Sequence, residues 1–159
     1  AAVLTAATTL HIDASAAPAG LSLQGNYGFN TIIGSAFADL LNGNRGNDSL
    51  TGGGGADIFR FDSTLSAITN RDTITDFDPL LDRIELEKAV FTALSVAGPL
   101  SASAFTIGAA ASSATHRIIY NNLTGTLTYD SNGSASGGST VFAQLQAGLS
   151  LNETHFTVT

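Results

Sequence analysis

From Gly25 to Arg60 the chain repeats itself every nine residues, as GNYGFNTII, GSAFADLLN, GNRGNDSLT and GGGGADIFR. Each block opens with Gly, carries Asn or Asp at its sixth position and has a large apolar residue at its eighth. A fixed period constrains the fold more than local propensity does, because units this short cannot bury an apolar face alone and must stack. Glycine permits the tight turns that side chains forbid and aims carbonyls inward. The last three residues of each block are β-prone. A strand alternates its faces, so the eighth-position column of Ile32, Leu41, Leu50 and Phe59 points into one shared interior. The same period places one oxygen-bearing side chain on every loop (Asn30, Asp39, Asp48 and Asp57), which is what a hard cation needs.

The length of 159 residues suits one domain or two small ones. Apolar residues make up 43 % of the chain, enough for a core, whereas only 12 % are charged. Gly, Ala, Ser and Thr fill the difference, which favours β structure with tight turns. Thirteen acidic against six basic residues leave a formal net charge of −7. No basic patch is available to neutralise phosphates, so nucleic-acid binding is disfavoured and a divalent cation is the welcome partner. The absence of cysteine removes disulfides, thiolate nucleophiles and thiolate metal sites. For a secreted chain a bound metal is then the alternative staple. No apolar run reaches the length of about 18 residues that a membrane-spanning helix needs. The chain starts at Ala1 rather than Met and shows no basic stretch ahead of an apolar one. A visible amino-terminal signal is therefore missing, as expected of a fragment or a processed product.

The blocks follow the pattern G-G-x-G-x-D-x-U-x, and on it the chain resembles the RTX (repeats-in-toxin) calcium-binding β-roll family. The resemblance implies an all-β fold, a right-handed parallel β-roll in which two nonapeptides make one turn. Loops of repeats n and n+2 then share a side, with Ca²⁺ between them. Loop Gly25–Asn30 would face Gly43–Asp48, and Gly34–Asp39 would face Gly52–Asp57. The metal-binding residues so implied are Asn30, Asp39, Gly43, Arg45, Asp48, Gly52, Gly54 and Asp57. The match is uneven. GGGGAD fits in full, and GNRGND fits except at Asn44. The second block has Phe37 where Gly is expected, which predicts a strained loop. The first has Asn30 where Asp is expected, a neutral and weaker ligand. An ordinary β-meander would not need four in-phase repeats with an apolar column. No glycine-rich stretch completes a nucleotide-binding loop either.

Stacked carboxylates about 4 Å apart repel by about 1 kcal/mol in water and about 4 kcal/mol near a protein surface. Calcium takes six to eight oxygens and removes that penalty. Two turns are too few to bury a solenoid core alone. The roll is therefore expected to be largely disordered without calcium.

Upstream, Leu10–Asp13 and Leu21–Leu23 alternate apolar and polar residues and read as strands, with Asp13 as a turn residue. Downstream, Asp72-Thr-Ile-Thr-Asp76-Phe77-Asp78-Pro79 and Asp82-Arg83-Ile84-Glu85-Leu86 resemble the stretch that follows the roll in serralysin-type proteases, some bacterial lipases and alginate epimerases. There the first Asp completes a calcium site with the last loop, which implies Asp72 as a further ligand. Asp78 before Pro79 reads as a turn. A short helix is expected within Glu85–Leu94. Antiparallel strands are expected at Arg117–Tyr120, Gly125–Asp130 and Ser139–Leu145. LTYDSNG, VFAQLQAG and the final His155-Phe156-Thr157-Val158 resemble the end of type I-secreted proteins, although His155 stands where relatives often have Asp.

The expected organisation is a calcium-binding roll over residues 1–60 and a capping β region with a C-terminal secretion signal over 61–159. No H-E-x-x-H or G-x-S-x-G is present, so no catalytic residues are assigned and no enzyme activity is expected of the chain itself. The resemblance implies a secreted, extracellular or cell-surface module of a bacterial exoprotein. Its implied partners are calcium ions, an ABC-type secretion channel and an N-terminal passenger domain. The alternative is an adhesin, S-layer or carbohydrate-binding module on the same scaffold.

Overall fold

Apolar residues recur once per nonapeptide, so each repeat contributes one short strand, and successive strands fall alternately into two sheets. In the computed structural model, which describes residues 8–159, these strands are β1 (Leu10–Asp13), β2 (Ser22–Gln24), β3 (Asn30–Ile33), β4 (Leu40–Asn42), β5 (Ser49–Thr51), β6 (Ile58–Phe61), β7 (Asp72–Ile74) and β8 (Arg83–Leu86). The chain's start at Ala1 lies outside the described residues. Odd strands pair in parallel as β1-β3-β5-β7, and even strands as β2-β4-β6-β8. The register aligns the eighth-position residues. Ile32 lies opposite Leu50, and Leu50 opposite Ile74. Leu23, Leu41, Phe59 and Ile84 form the matching column of the other sheet. All seven are buried, and the two columns face each other as the interior of a parallel β-roll.

The expected boundary at residue 60 is not a break in either sheet. β7 and β8 add a further turn, because Asp72-Thr73-Ile74 and Asp82-Arg83-Ile84 repeat the Asp-x-apolar signature of the nonapeptides without their glycine loops. Beyond them come β9 (Gly98–Pro99), β10 (Phe105–Ile107), β11 (Ile118–Asn121), β12 (Thr126–Asp130), β13 (Ser139–Gln144) and β14 (Phe156–Val158). As the sequence predicts, β11, β12 and β13 form an antiparallel meander. β13 then joins β7 in parallel, and β14 joins β8 in parallel with Phe156 opposite Ile84. The cap thus continues both sheets of the roll. A cluster of edge-on aromatic contacts seals the junction. Phe142 packs on Phe61 (5.0 Å between ring centroids) and on Phe91 (5.2 Å), and Phe91 packs on Tyr129 (5.1 Å).

The helix expected within Glu85–Leu94 does not form. Arg83–Leu86 is claimed by pairing with β6 and β14, and the chain then runs through a series of turns closed by Phe91 N–H to Glu87 O and Leu94 N–H to Phe91 O. Among the described residues the only helical segments are two single 3₁₀ turns, Ala102–Ala104 and Glu153–His155.

The interior column has a measurable consequence. Leu50→Ala is expected to lower unfolding free energy by about 2–5 kcal/mol, the usual loss for truncating a buried leucine. Phe37→Ala, at an exposed loop position, should change it by no more than about 0.5 kcal/mol. Urea unfolding in calcium buffer measures both.

Candidate metal centre

The sixth-position side chains do more than line the loops. Along one edge Asp57 Oδ1 accepts the Asp39 N–H (2.8 Å) and Asp82 Oδ1 accepts the Asp57 N–H (3.0 Å). The ladder extends upstream, where Asp39 Oδ1 accepts the Leu21 N–H (2.6 Å). Along the other edge Asp48 Oδ1 accepts the Asn30 N–H (2.6 Å) and Asp72 Oδ1 accepts the Asp48 N–H (3.1 Å). Each later carboxylate holds the loop before it on the same edge. Loops Gly25–Asn30 and Gly43–Asp48 therefore face each other, as do Gly34–Asp39 and Gly52–Asp57.

Close approach explains the glycines. A side chain at Gly46 would collide with Gly28 O, one at Gly53 with Ser35 O, and one at Gly34 with Gly52 O. Carbonyls of each loop thus point at the next. Gly46 (φ 128°), Gly53 (φ 92°) and Gly55 (φ 108°) also occupy the left-handed half of backbone space. The strain expected at Phe37 is absent. Phe37 does not have positive φ, and its ring lies out in solvent. Among the described residues the non-glycine with positive φ is Asn44 (φ 66°), and Asn is one of the side chains that tolerate this region best. Its amide holds the turn by donating to Gly25 O (2.6 Å).

Asp39, Asp48, Asp57, Asp72 and Asp82 are all buried, and for the last four burial raises the energy of the charged form. Burial pushes Asp57 up to about 6, helped by the charges of Asp82, Asp39 and Asp76. Burial and the neighbouring Asp48 charge hold Asp72 well above the ordinary carboxylate value, and burial raises Asp48 and Asp82. Hydrogen bonds cover only part of this charge. Asp48 Oδ2 is buried without a donor, beside the Cα of Gly43. Unpartnered buried oxygens and adjacent carboxylates fit a cation. Among the described residues no three Asp, Glu, His or Cys side chains converge, so backbone carbonyls must supply much of any coordination shell.

The other residues expected to bind metal occupy varied settings. Gly43 and Gly52 sit against the Oδ2 atoms of Asp48 and Asp57, and the Gly54 N–H donates to Ser35 O (3.0 Å). The Arg45 guanidinium lies over the Tyr27 ring (5.5 Å), so only its carbonyl is available as a ligand. Asn30 turns its amide nitrogen, not its oxygen, toward Asp48 (2.8 Å). Asp72 is aligned with the third loop through Asp48 rather than with the last loop. Strands alternate between sheets, so the fifth unit must stack on the third. The last loop is met by Asp82 and by Asp76, whose two oxygens accept the Gly52 and Gly53 N–H groups (2.8 Å each). Asp76 and Asp82 both belong to the acidic stretch that follows the roll, but which loop each meets depends on how the chain returns after β7. Asp13 and Asp78 are turn residues, bonded to the Ser15 and Leu80 N–H groups.

Residues 24–59 match the family model described as the RTX calcium-binding nonapeptide repeat, in four copies. The chain carries RTX calcium-binding repeats. Among solved structures it is similar to the solution structure of the AlgE6R3 subunit from the Azotobacter vinelandii mannuronan C5-epimerase. Identity is 26 % over 86 % of this chain and 78 % of that one, with a TM-score of 0.46. No curated protein matches the chain. RTX nonapeptide repeats are calcium-binding elements, and in this chain they lie on an all-β roll.

Raised carboxylate values fix the sign of the pH response. With Asp57 at about 6 in the fold against an ordinary 3.8, the metal-free fold binds more protons than the unfolded chain between those values. That contribution to stability is full below 3.8 and is lost as pH rises through about 6. Calcium held by these carboxylates would compete with the same protons. Half-saturating calcium is therefore expected to rise as pH falls below about 6, while the metal-free chain gains structure. Calcium titrations followed by far-UV circular dichroism between pH 4 and 8 test both trends.

Proposed function

We propose that this chain is a non-catalytic calcium-dependent folding and secretion module of a secreted bacterial protein. In this reading it folds outside the cell and carries its export signal at its C-terminus. The observation that carries the reading is the ladder Asn30–Asp48–Asp72 and Asp39–Asp57–Asp82, in which every later unit places a buried acid against the preceding loop. Bound calcium would supply positive charge and a cross-link between loops. Asp39, Asp57, Asp48, Asp72 and Asp82, with the loop carbonyls, are the residues that would hold it. Where free calcium is scarce these acids oppose stacking and the chain stays threadable through an ABC-type channel. Where calcium is plentiful, binding stabilises the folded state by mass action, and the folded module cannot slip back.

The C-terminus supports the same sequence of events. β14 lies between β8 and β9, with Phe156 and Val158 buried and Thr159 hydrogen-bonded to Leu86 and Lys88. His155 is buried too and pairs with the Pro79 carbonyl through Nε2 (2.9 Å). A signal in this segment is readable only before the sheet closes, which couples recognition to the unfolded state. The N-terminal passenger that such a module would serve belongs to the same proposal.

A saccharide-binding or adhesin role is the second reading. Exposed Tyr27, stacked under Arg45, and exposed Phe29 favour it, whereas Phe59, Phe61, Phe77, Phe91, Phe142 and Phe156 are buried and unavailable as a platform. Export decides the main reading. A carrier protein fused to the full chain should be secreted by a host with a type I channel, and removal of Thr154–Thr159 should abolish that secretion. Undiminished export of the truncated fusion would contradict the assignment.

A further inference from the structure

The facing loops of this roll are not equivalent, and the first pair is closed by the protein itself. Between loops Gly25–Asn30 and Gly43–Asp48, the Asn30 side-chain nitrogen donates to Gly28 O (2.7 Å) and to Asp48 Oδ1 (2.8 Å). Asn26 O (3.3 Å) and Gly43 O (3.5 Å) complete its surroundings. Four acceptors, from both loops, converge on one nitrogen. Its two hydrogens carry the partial positive charge that a cation would otherwise bring. The amide oxygen is turned away and accepts the Asn26 N–H (3.3 Å). The reverse orientation would press that oxygen against Gly28 O and a carboxylate oxygen with no donor between them, so the surroundings select this one.

At the facing pair on the other edge nothing equivalent exists. There the sixth position is Asp39, whose Oδ2 accepts the Ser35 N–H (2.6 Å) and hydroxyl (3.0 Å), and which donates no side-chain hydrogen into the gap toward Asp57. In the next interval along the first edge the Asp72 carboxylate meets the Asp48 loop through the Asp48 N–H, and no side-chain amide stands between them. Neither of those intervals has a side-chain donor between its loops, whereas the Asn30 interval has one.

We propose that the Asn30 side-chain amide is a built-in substitute for calcium. It locks the first pair of facing loops whether or not calcium is present, so this interval holds no ion and those further along the roll do. The first turn then serves as a pre-formed end on which the calcium-dependent turns stack. This rests on the calcium-binding reading of the RTX loops and deepens it.

The test is the calcium content of the 159-residue chain after equilibrium dialysis, compared with that of Asn30→Asp. An aspartate places an oxygen where the donor stood, and Asn30→Asp is expected to bind one more calcium per chain than wild type. Equal content in the two proteins would overturn the proposal while leaving the calcium-binding reading intact. A wild type that binds no calcium would instead overturn that underlying reading, and this proposal with it. A measurement on wild type alone covers failure of the variant to fold. In calcium-saturated protein the Asn30 side-chain NH₂ resonances should remain protected from solvent exchange, as hydrogen bonds to Gly28 and Asp48 require. Loss of that protection on calcium loading would show the amide displaced and the proposal wrong.

Discussion

The structure depends on one contact repeated along two edges: a buried carboxylate accepting the backbone N–H of the residue one turn earlier. It fixes the rise of the coil, because Asp57 reaches Asp39, and Asp82 reaches Asp57, only when the strands between them are in register. It also carries a conflict. Bringing Asp39, Asp57, Asp76 and Asp82 to one edge builds the repulsion that, with burial, lifts Asp57 to about 6. The apolar column of Leu41, Phe59 and Ile84 favours stacking, and the acid columns oppose it until something positive joins them. A fold balanced in this way responds to its ionic surroundings, which is the property a calcium-triggered module needs.

The cap and the roll are coupled through the same two sheets. β13 and β14 return from the far end of the chain to pair with β7 and β8, directly behind Asp72 and Asp82. Phe142 and Phe156 bury the last turn of the coil, which has no further repeat to cover it. Calcium held near Asp72 and Asp82, as proposed, would therefore be coupled to packing of the C-terminal strands. At the opposite end the Asn30 amide gives the first loop pair a satisfied interval. One end is closed by an amide and the other by aromatic packing, and the buried acids lie between.

Much of this was legible in the sequence because it derives from a period. The nine-residue spacing predicts the stacked units and the buried column, the resemblance to the RTX β-roll implies the facing of loops n and n+2, and all are present. The contacts that escaped prediction join positions far apart in the chain. Asp72 stacks on Asp48 because of strand parity, which becomes visible only once Asp72-Thr73-Ile74 is read as a fifth repeat unit. Asp76 reaches Gly52 and Gly53 through the turn after β7, which no local pattern encodes. Glu85–Leu94 contains good helix formers, yet sheet pairing on both sides of β8 overrides their propensity. Phe37 suggested strain because glycine usually marks positive φ. Its loop instead takes another path, with Ser35 holding Asp39, and the left-handed residue is Asn44.

The claim beneath all of this is that positive charge between stacked acidic loops holds the coil together. Far-UV circular dichroism of the full chain, recorded during thermal unfolding in millimolar calcium and again in excess chelator, tests it most directly. A β-sheet spectrum with a cooperative transition in calcium, and loss of most of that signal in chelator, is the predicted result. The same spectrum and the same transition temperature in both would contradict it.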